Sequence, residues 1–589
     1  MLLRLPGETR SSKGGVRLRF RTPNRDEQNV PYSDIQTAVG NPCSGEGQHM
    51  WSQTYDPLNA PVLSALVAAS PIILFLLCLT VFKLSGIKSA LITLAVTLGI
   101  ALGVFHLPVT AAAGSILYGF LSAFWPIGWI VLMAVWLYRI TVRSGKFAVV
   151  RASVSSISAD QRIQVLLIAL CFAGFIEGAA GFGIPIAISV ALLVALGFNP
   201  LKAAMLSLVS NATVGAYGAV GIPVTTGAAI GNVDLGHLSD QMVWVLQIFA
   251  ALVPVLVVAI QDGLRGIREV GPVALATGIV ISGVQCVMLW VLQAPELIGI
   301  LPPLVGLVFL AVIMRFWQPK HIYREPTAPT LEELAEKKDP VYSLRKIANA
   351  WSPFIFLSAT ILLWSTVLKP VFDANGPLGF ANLSFHVPGI HHQIGDGEGL
   401  AIHAVFNWNI FGAAGTAILV AALLSALTSK ITVRETLQEL NGSWQQLKKP
   451  IYMICLVMSV ANLMNYAGMT SSIALAVASA GALFPLFSPA IGWVGVFVTG
   501  SVTNNNVLFA GLQASTAQQI GVDPAMLVAA NTSGGVMGKI VSPQSIAVAV
   551  AAVNQAGQES KVTSITIKYS LFLLVLLCIW TYLLSLFMH

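Results

Sequence analysis

Two ionisable residues sit inside long apolar stretches: Glu177 in F-I-E-G-A-A-G-F-G-I-P and Lys539 in G-V-M-G-K-I-V-S-P. A charge at membrane depth is costly and must find a partner or water. An isolated acid and base of this kind suit two complementary roles. Lys539 attracts an anionic substrate, and Glu177 carries a coupling proton. The alternative is a structural ion pair. The readings are compatible, because a substrate anion can compete with Glu177 for Lys539.

A third polar feature lies in T-G-S-V-T-N-N-N at 499–506. Thr499, Ser501, Thr503, Asn504 and Asn505 offer hydroxyls and amides without charge. Such groups suit the oxygens of a small carboxylate and a neighbouring hydroxyl, and equally a desolvated sodium ion. Asn211 and Thr213 in one segment, and Asn531, Thr532, Ser533 and Gln544 in another, add further donors and acceptors. These thirteen residues, counting Glu177 and Lys539, are the candidate binding set. His403 is a weaker candidate for proton relay, and His386, His391 and His392 read as solvated loop residues. No metal-ligand spacing, nucleophile elbow or phosphate-binding loop is present. G-V-M-G-K-I ends in Ile540 where a P-loop needs Ser or Thr. No cofactor is expected beyond the coupling ion, a proton in the first reading and sodium in the alternative.

The elements that must hold these residues show an internal repeat. N-A-T-V-G-A-Y-G-A-V-G-I-P at 211–223 and N-T-S-G-G-V-M-G-K-I-V-S-P at 531–543 both read N-x3-G-x2-G-x4-P. Gly215, Gly218 and Pro223 match Gly535, Gly538 and Pro543, and Gly534 adds a further glycine. A G-x-x-P turn precedes each copy, a polar-centred apolar stretch precedes the turn, and a proline-started span (Pro126, Pro450) precedes that. Glycines and proline inside a span predict a broken helix. The freed backbone groups must then be buried in protein or line a wet cavity. Broken half-helices and hairpin tips meeting near mid-bilayer make the site of a secondary transporter. The competing reading is that the glycines only permit close helix packing. Gly181, Gly183 and Pro185 mark the first hairpin tip.

Composition fixes the solvent. Of 589 residues, 56% are hydrophobic and 10% charged, and the mean hydropathy is +0.79. This excludes a soluble globular fold, a disordered chain and a nucleic-acid binder, and the net charge of +7 belongs to loops. Six scattered cysteines without a CxxC read as inert thiols. Apolar runs of about 20 residues predict twelve spans: 61–83, 86–106, 109–142, 200–230, 240–261, 271–293, 297–317, 351–370, 400–428, 450–466, 524–552 and 563–588. The stretches 163–197 and 488–520 are read as re-entrant hairpins. Basic residues at 139–162, 265–268, 318–348 and 430–449 share one side, assigned as cytoplasmic, while 371–399 carries no Lys or Arg and lies outside.

The expected fold is an all-α polytopic membrane protein, with about twelve transmembrane helices plus two re-entrant hairpins in two inverted repeats. The first repeat covers 50–262, with hairpin 163–197 and broken helix 200–230. Residues 263–317 add two further spans, a candidate scaffold or homo-oligomer surface. The charged linker 318–348 is cytoplasmic. The second repeat covers 349–589, with hairpin 488–520 and broken helix 524–552. Residues 1–49 hold seven basic residues and no apolar run, and read as a disordered extension, or as sequence ahead of a true start at Met50.

Several runs resemble the bacterial L-lactate permease family: S-I-S-A-D-Q-R-I-Q at 156–164, F-I-E-G-A-A-G-F-G-I-P-I-A-I-S-V-A-L-L-V-A-L-G-F-N-P-L at 175–201, Q-A-S-T-A-Q-Q-I-G-V at 513–522 and V-A-A-N-T-S-G-G-V-M-G-K-I-V-S-P-Q-S at 528–545. The resemblance runs from about Met50 to the C-terminus. It implies proton-coupled symport of L-lactate, D-lactate or glycolate across the inner membrane. It also places S-N-A-T at 210–213 and A-N-T-S at 530–533 beside substrate and cation. Two departures stand out. The family's second hairpin commonly reads T-G-S-D-T-S-S-N, so Val502 replaces an aspartate. Its first break commonly reads N-T-A-P-V-A-F-G-A, against N-A-T-V-G-A-Y-G-A here. The expectation is a secondary transporter for a small 2-hydroxymonocarboxylate, embedded in lipid and with no nucleic-acid partner. The rivals are a sodium-coupled or differently specific carboxylate transporter, a transport-dead sensor and an intramembrane enzyme. Sodium replacement separates the first, binding without flux the second, and product formation the third.

Overall fold

Away from water a backbone must pair its own N–H and C=O groups, so an apolar chain of this length becomes a helical bundle. The computed structural model describes residues 50–587 apart from 83, 180, 182, 293, 327, 329–341, 366, 373–375, 396–400, 403, 554 and 556–557. Among the described residues, ten helices are long and apolar enough to cross a membrane, and a bent pair makes an eleventh. The extension 1–49, residues 327 and 329–341 of the 318–348 linker, and His403 lie outside the described residues. Met50–His589 forms one unit.

The helices Pro61–Thr80 and Gly86–Gly103 lie at the periphery, where much of their apolar surface is left for lipid. Gln161–Ala179 is the opposite case. Every residue of its apolar window is buried inside the protein, so the helix that carries Glu177 is surrounded by other helices. Val433–Tyr466 packs against Val109–Ser122, and Gly218–Gly231 packs against Val502–Ile520.

Several elements differ from the sequence expectation. The spans expected at 240–261 and 271–293 are two arms of one continuous run, Leu235–Trp290, bent sharply at Asp262 and Gly263. A side chain at Gly278 would stand 2.0 Å from the Ala251 carbonyl oxygen, so the two arms fold back on one another. The span expected at 450–466 starts earlier, at Val433. Thr432 and Glu435 form a reciprocal capping box there, and the helix runs on through Pro450. Pro450 therefore starts no helix, whereas at Pro126 the helix does break, with Trp125 outside helical geometry (φ −129°, ψ 122°). The span expected at 400–428 shrinks to Ala414–Thr428. Ahead of it, Val405–Asn409 is a strand paired antiparallel with Asn382–His386. F-N-W-N at 406–409 alternates with a period of two, which is strand periodicity, and apolar content alone hid it. Next to this ribbon His386, His391 and His392 stack ring on ring at 4.1 Å.

Residues 318–326 are docked rather than free. Arg162, 1% exposed, is bonded to Asp160, Asp262 and Glu269 and donates to the His321 carbonyl. Glu325 accepts from the Asn199 N–H at 2.7 Å, and its own N–H donates to Gln161. The base of the first hairpin is thereby tied to the 262–269 bend and to the chain that follows the helix Leu301–Phe316.

Candidate functional site

The first hairpin descends through Gln161–Ala179 and returns through Ile184–Ala195. Gly181 (φ +58°) and Gly183 (φ +81°) take left-handed conformations at its tip, which glycine adopts without steric cost. Pro185 sits in the first turn of the returning helix, where a missing N–H does no harm. Glu177 lies in the last turn before the tip.

The next span is broken where Gly215 and Gly218 are placed. Pro200–Ser210 gives way to short 3-10 turns at Asn211–Thr213 and Gly215–Tyr217, Gly218 is extended, and Ala219, Val220 and Gly221 all have positive φ. The two halves meet at 65°. Two non-glycine residues in the left-handed region are strained and persist only when the surroundings hold them. Asn506 supplies part of that hold, because its side-chain amide donates to the Pro223 carbonyl at 2.8 Å. Gly218 serves the acid directly, since a Cβ there would lie 2.7 Å from Glu177 Oε1.

The second repeat departs from the expected break. Pro524–Lys539 is a continuous helix that includes Gly534, Gly535 and Gly538, and the interruption comes only at Ile540–Ser542. The three glycines serve packing instead. A Cβ at Gly534 would be 1.9 Å from the Pro489 carbonyl oxygen and one at Gly538 2.3 Å from that of Trp493. From the other helix, a Cβ at Gly492 would be 2.0 Å from the Asn531 carbonyl. Phe484–Thr499 and Pro524–Lys539 thus touch backbone to backbone. Pro543 opens the short helix Pro543–Ala551, with Ser542 as its N-cap.

These elements enclose a cavity of about 100 Å³. Glu177, Lys539, Ser501, Thr503 and Gln544 from the candidate set line it, with Gly181, Gly183, Gly215, Gly218 and Pro223 from the breaks and tips. Lys539 Nζ donates to Glu177 Oε1 at 2.6 Å, and Asn211 Nδ2 donates to Oε2 at 3.0 Å. The side chains are 3% exposed for Glu177 and 13% for Lys539. Among the described lining residues Glu177 is the one acid and Lys539 the one base. The first turns of three helices also reach the cavity: Ile184–Ala195, Val502–Ile520 and Pro543–Ala551. Helix N-termini carry partial positive charge and free N–H groups. With Lys539 they make a site suited to a small anion.

The remaining candidates are placed otherwise. Thr213 is buried and donates to the Ser210 carbonyl. Thr499 donates to the Gly495 carbonyl and accepts from the Ser501 N–H, shaping the second tip at Gly500 (φ +69°). Asn531 and Thr532 join Asn506 in a buried network, with Asn531 Nδ2 donating to Asn506 Oδ1 at 2.9 Å and Asn506 Nδ2 to Thr532 Oγ1 at 2.9 Å. Asn505 Nδ2 donates to the Asn531 carbonyl at 3.4 Å. The Asn504 and Asn505 side-chain oxygens and the Ser533 hydroxyl are buried without a hydrogen-bond partner, and none of the three residues lines the cavity. Sequence reasoning missed Ser545, which does line it. The signal was the S-P-Q-S capping pattern at 542–545, in which the Ser542 hydroxyl accepts from the Ser545 N–H. Among the described residues no group of three His, Cys, Asp or Glu side chains could hold a metal ion.

Residues 64–588 match the sequence pattern of the L-lactate permease family. The chain is 46% identical over 542 residues to an L-lactate permease of Halalkalibacterium halodurans, an alignment covering 91% of this chain and 100% of that one. It is 40% identical to an L-lactate permease of Escherichia coli (strain K12), over 89% of this chain and 96% of that one. It is also 40% identical to the glycolate permease GlcA of the same strain, over 88% and 95%. Among solved structures, the Alcanivorax borkumensis YdaH transporter aligns with a TM-score of 0.43 at 13% identity, covering 80% of this chain and 88% of that one.

Proposed function

The chain belongs to the L-lactate permease family, and from that membership we propose that it takes up L-lactate, D-lactate, glycolate and related small 2-hydroxymonocarboxylates by proton symport. It is a multi-pass protein of the bacterial inner membrane. The relatives named as L-lactate and glycolate permeases support the substrate class. The observation that carries the coupling is the Glu177–Lys539 pair within a cavity faced by three helix N-termini.

Charge balance supplies the coupling. In the empty site the Glu177 carboxylate and the Lys539 ammonium cancel. A carboxylate entering without a proton would leave one uncompensated negative charge in a largely buried site, which is costly. Transfer of a proton to Glu177 frees Lys539, and the substrate carboxylate takes the place of Glu177. The loaded site is again neutral, with one proton and one monocarboxylate. Asn211 holds the side chain of Glu177 in place throughout. Ser501, Thr503, Gln544 and Ser545 are the neutral donors and acceptors available to the 2-hydroxyl and the second carboxylate oxygen. Val502, 3% exposed, lines the cavity where the family resemblance places an aspartate. No second acid stands at that position, which supports one proton per substrate.

The test is uptake of labelled L-lactate into proteoliposomes under an imposed inward pH gradient, in sodium-free buffer. Accumulation that an uncoupler abolishes, and that unlabelled D-lactate and glycolate compete for, supports the proposal. Accumulation that appears only once sodium is added, and that ignores the pH gradient, would replace the proton with sodium.

A further inference from the structure

A second cavity, of about 300 Å³, lies at the opposite end of the bundle from the Arg162 cluster. The helix Pro200–Ser210 starts beside that cluster, through the Asn199–Glu325 bond, and its continuation Gly218–Gly231 ends at the cavity with Asn232. Gln53 roofs it, its amide donating to the Asn465 and Tyr466 carbonyls at 2.9 and 3.0 Å. No charged residue is among its described lining residues. Asn465, Tyr466, Ser471, Ser515 and Gln518 present hydroxyls and amides to it instead. Asn465 Oδ1 already accepts from Thr470, which leaves its Nδ2 for the cavity. Gly511 gives the Asn465 amide room, since a Cβ there would lie 3.0 Å from Oδ1.

The two cavities lie along the same pair of helices. On Val502–Ile520, Thr503 lines the central cavity and Gly511 the outer one, about 12 Å further on at 1.5 Å per residue. On Gly218–Gly231, Pro223 and Ile230 stand in the same relation. One layer separates them. Asn506 bridges to the Pro223 carbonyl, a Cβ at Gly227 would lie 3.0 Å from the Asn506 amide, and Val507 beside it is buried.

We propose that the outer cavity is a second, weaker binding site for the same class of small 2-hydroxycarboxylate, and that substrate waits there before crossing the Asn506 layer to Lys539. This rests on the transport reading above. Neutral hydrogen-bonding groups without a fixed charge bind a hydroxycarboxylate loosely, so the outer site passes its occupant on, while the charge that holds substrate firmly lies one layer deeper. The ordering of the two sites follows from chemistry as well as position.

The test uses the full-length chain with its native cysteines replaced and Ser515→Cys introduced, reconstituted in liposomes. Labelling with a membrane-impermeant anionic methanethiosulfonate is followed with and without L-lactate or glycolate, alone and combined with Lys539→Ala. The expected result is labelling that either substrate slows at least threefold, with the protection surviving Lys539→Ala. Absence of labelling, absence of protection, or protection that vanishes with Lys539→Ala would each overturn the proposal, the last by showing that only the central site is occupied. Gln518→Cys serves if Ser515→Cys does not fold. Lactate uptake by the unmodified protein is measured alongside. Protection without uptake would refute the transport reading and leave the outer site standing.

Discussion

Replacing Glu177 and Lys539 together should cost less stability than replacing either alone. At 2.6 Å, two unit charges attract by about 6 kcal/mol at an effective dielectric constant of about 20. Removing both groups from water offsets much of that gain. The pair as a whole therefore adds little net stability, but its halves do not tolerate separation. Glu177→Gln keeps an oxygen for Asn211 yet leaves the Lys539 ammonium 13% exposed without its partner, and Lys539→Met leaves a carboxylate 3% exposed. Each single change is expected to cost about 3–5 kcal/mol, and the double change restores neutrality. The interaction energy across the cycle is then larger than the smaller of the two single losses, about 3 kcal/mol or more. The assay is thermal unfolding of the four purified proteins in one detergent, followed by tryptophan fluorescence. The double variant should unfold above both single variants. Losses that add would show that the two side chains do not act as a buried pair, and the charge-balance account would fall with them.

Four further outcomes follow from the packing and the buried polar contacts. Gly534→Ala places a methyl 1.9 Å from the Pro489 carbonyl and should cost at least about 1–3 kcal/mol through overpacking. Gly283→Ala, with nothing within 4 Å, should be neutral or stabilise by up to about 1 kcal/mol, and the monodisperse yield on size exclusion compares the two. Arg162→Met leaves Asp160, Asp262 and Glu269 without their shared cation and should cost about 3–5 kcal/mol, read as a lowered unfolding midpoint. Asn506→Leu removes the donor to the Pro223 carbonyl and should cost about 1–3 kcal/mol. In the same variant, protection from proteolysis near the first break should weaken.

The bundle was readable from apolar length and from the placement of charge, because lipid allows few alternatives to helices. At Glu177 and at Lys539 the sequence showed a need for a partner or water, because each is a charge in an apolar stretch, but not that the two meet. What the sequence left open is whether a glycine breaks a helix or admits a neighbour. Gly215 and Gly218 lie at a real break, whereas Gly535 and Gly538, at matching places in the same motif, sit inside an unbroken helix pressed against another backbone. Only the tertiary neighbour decides between these outcomes. The same holds for the asparagines. Asn211 turns to the acid, while Asn531 turns into the network of Asn506 and Thr532, although both open the same repeat. The strand Val405–Asn409 and the capping pattern at Ser542 were local signals, outweighed by counting apolar residues.

The most direct test of the coupling mechanism compares wild type with Glu177→Gln in proteoliposomes, in two modes on the same preparation. One mode follows accumulation of labelled L-lactate under an inward pH gradient. The other follows exchange of labelled for unlabelled L-lactate with no gradient. Wild type should do both. Glu177→Gln, with Lys539 left free for the carboxylate and no group to carry the proton, should exchange but not accumulate. Accumulation by Glu177→Gln at the wild-type level would contradict the account, because the proton would then travel on some other group.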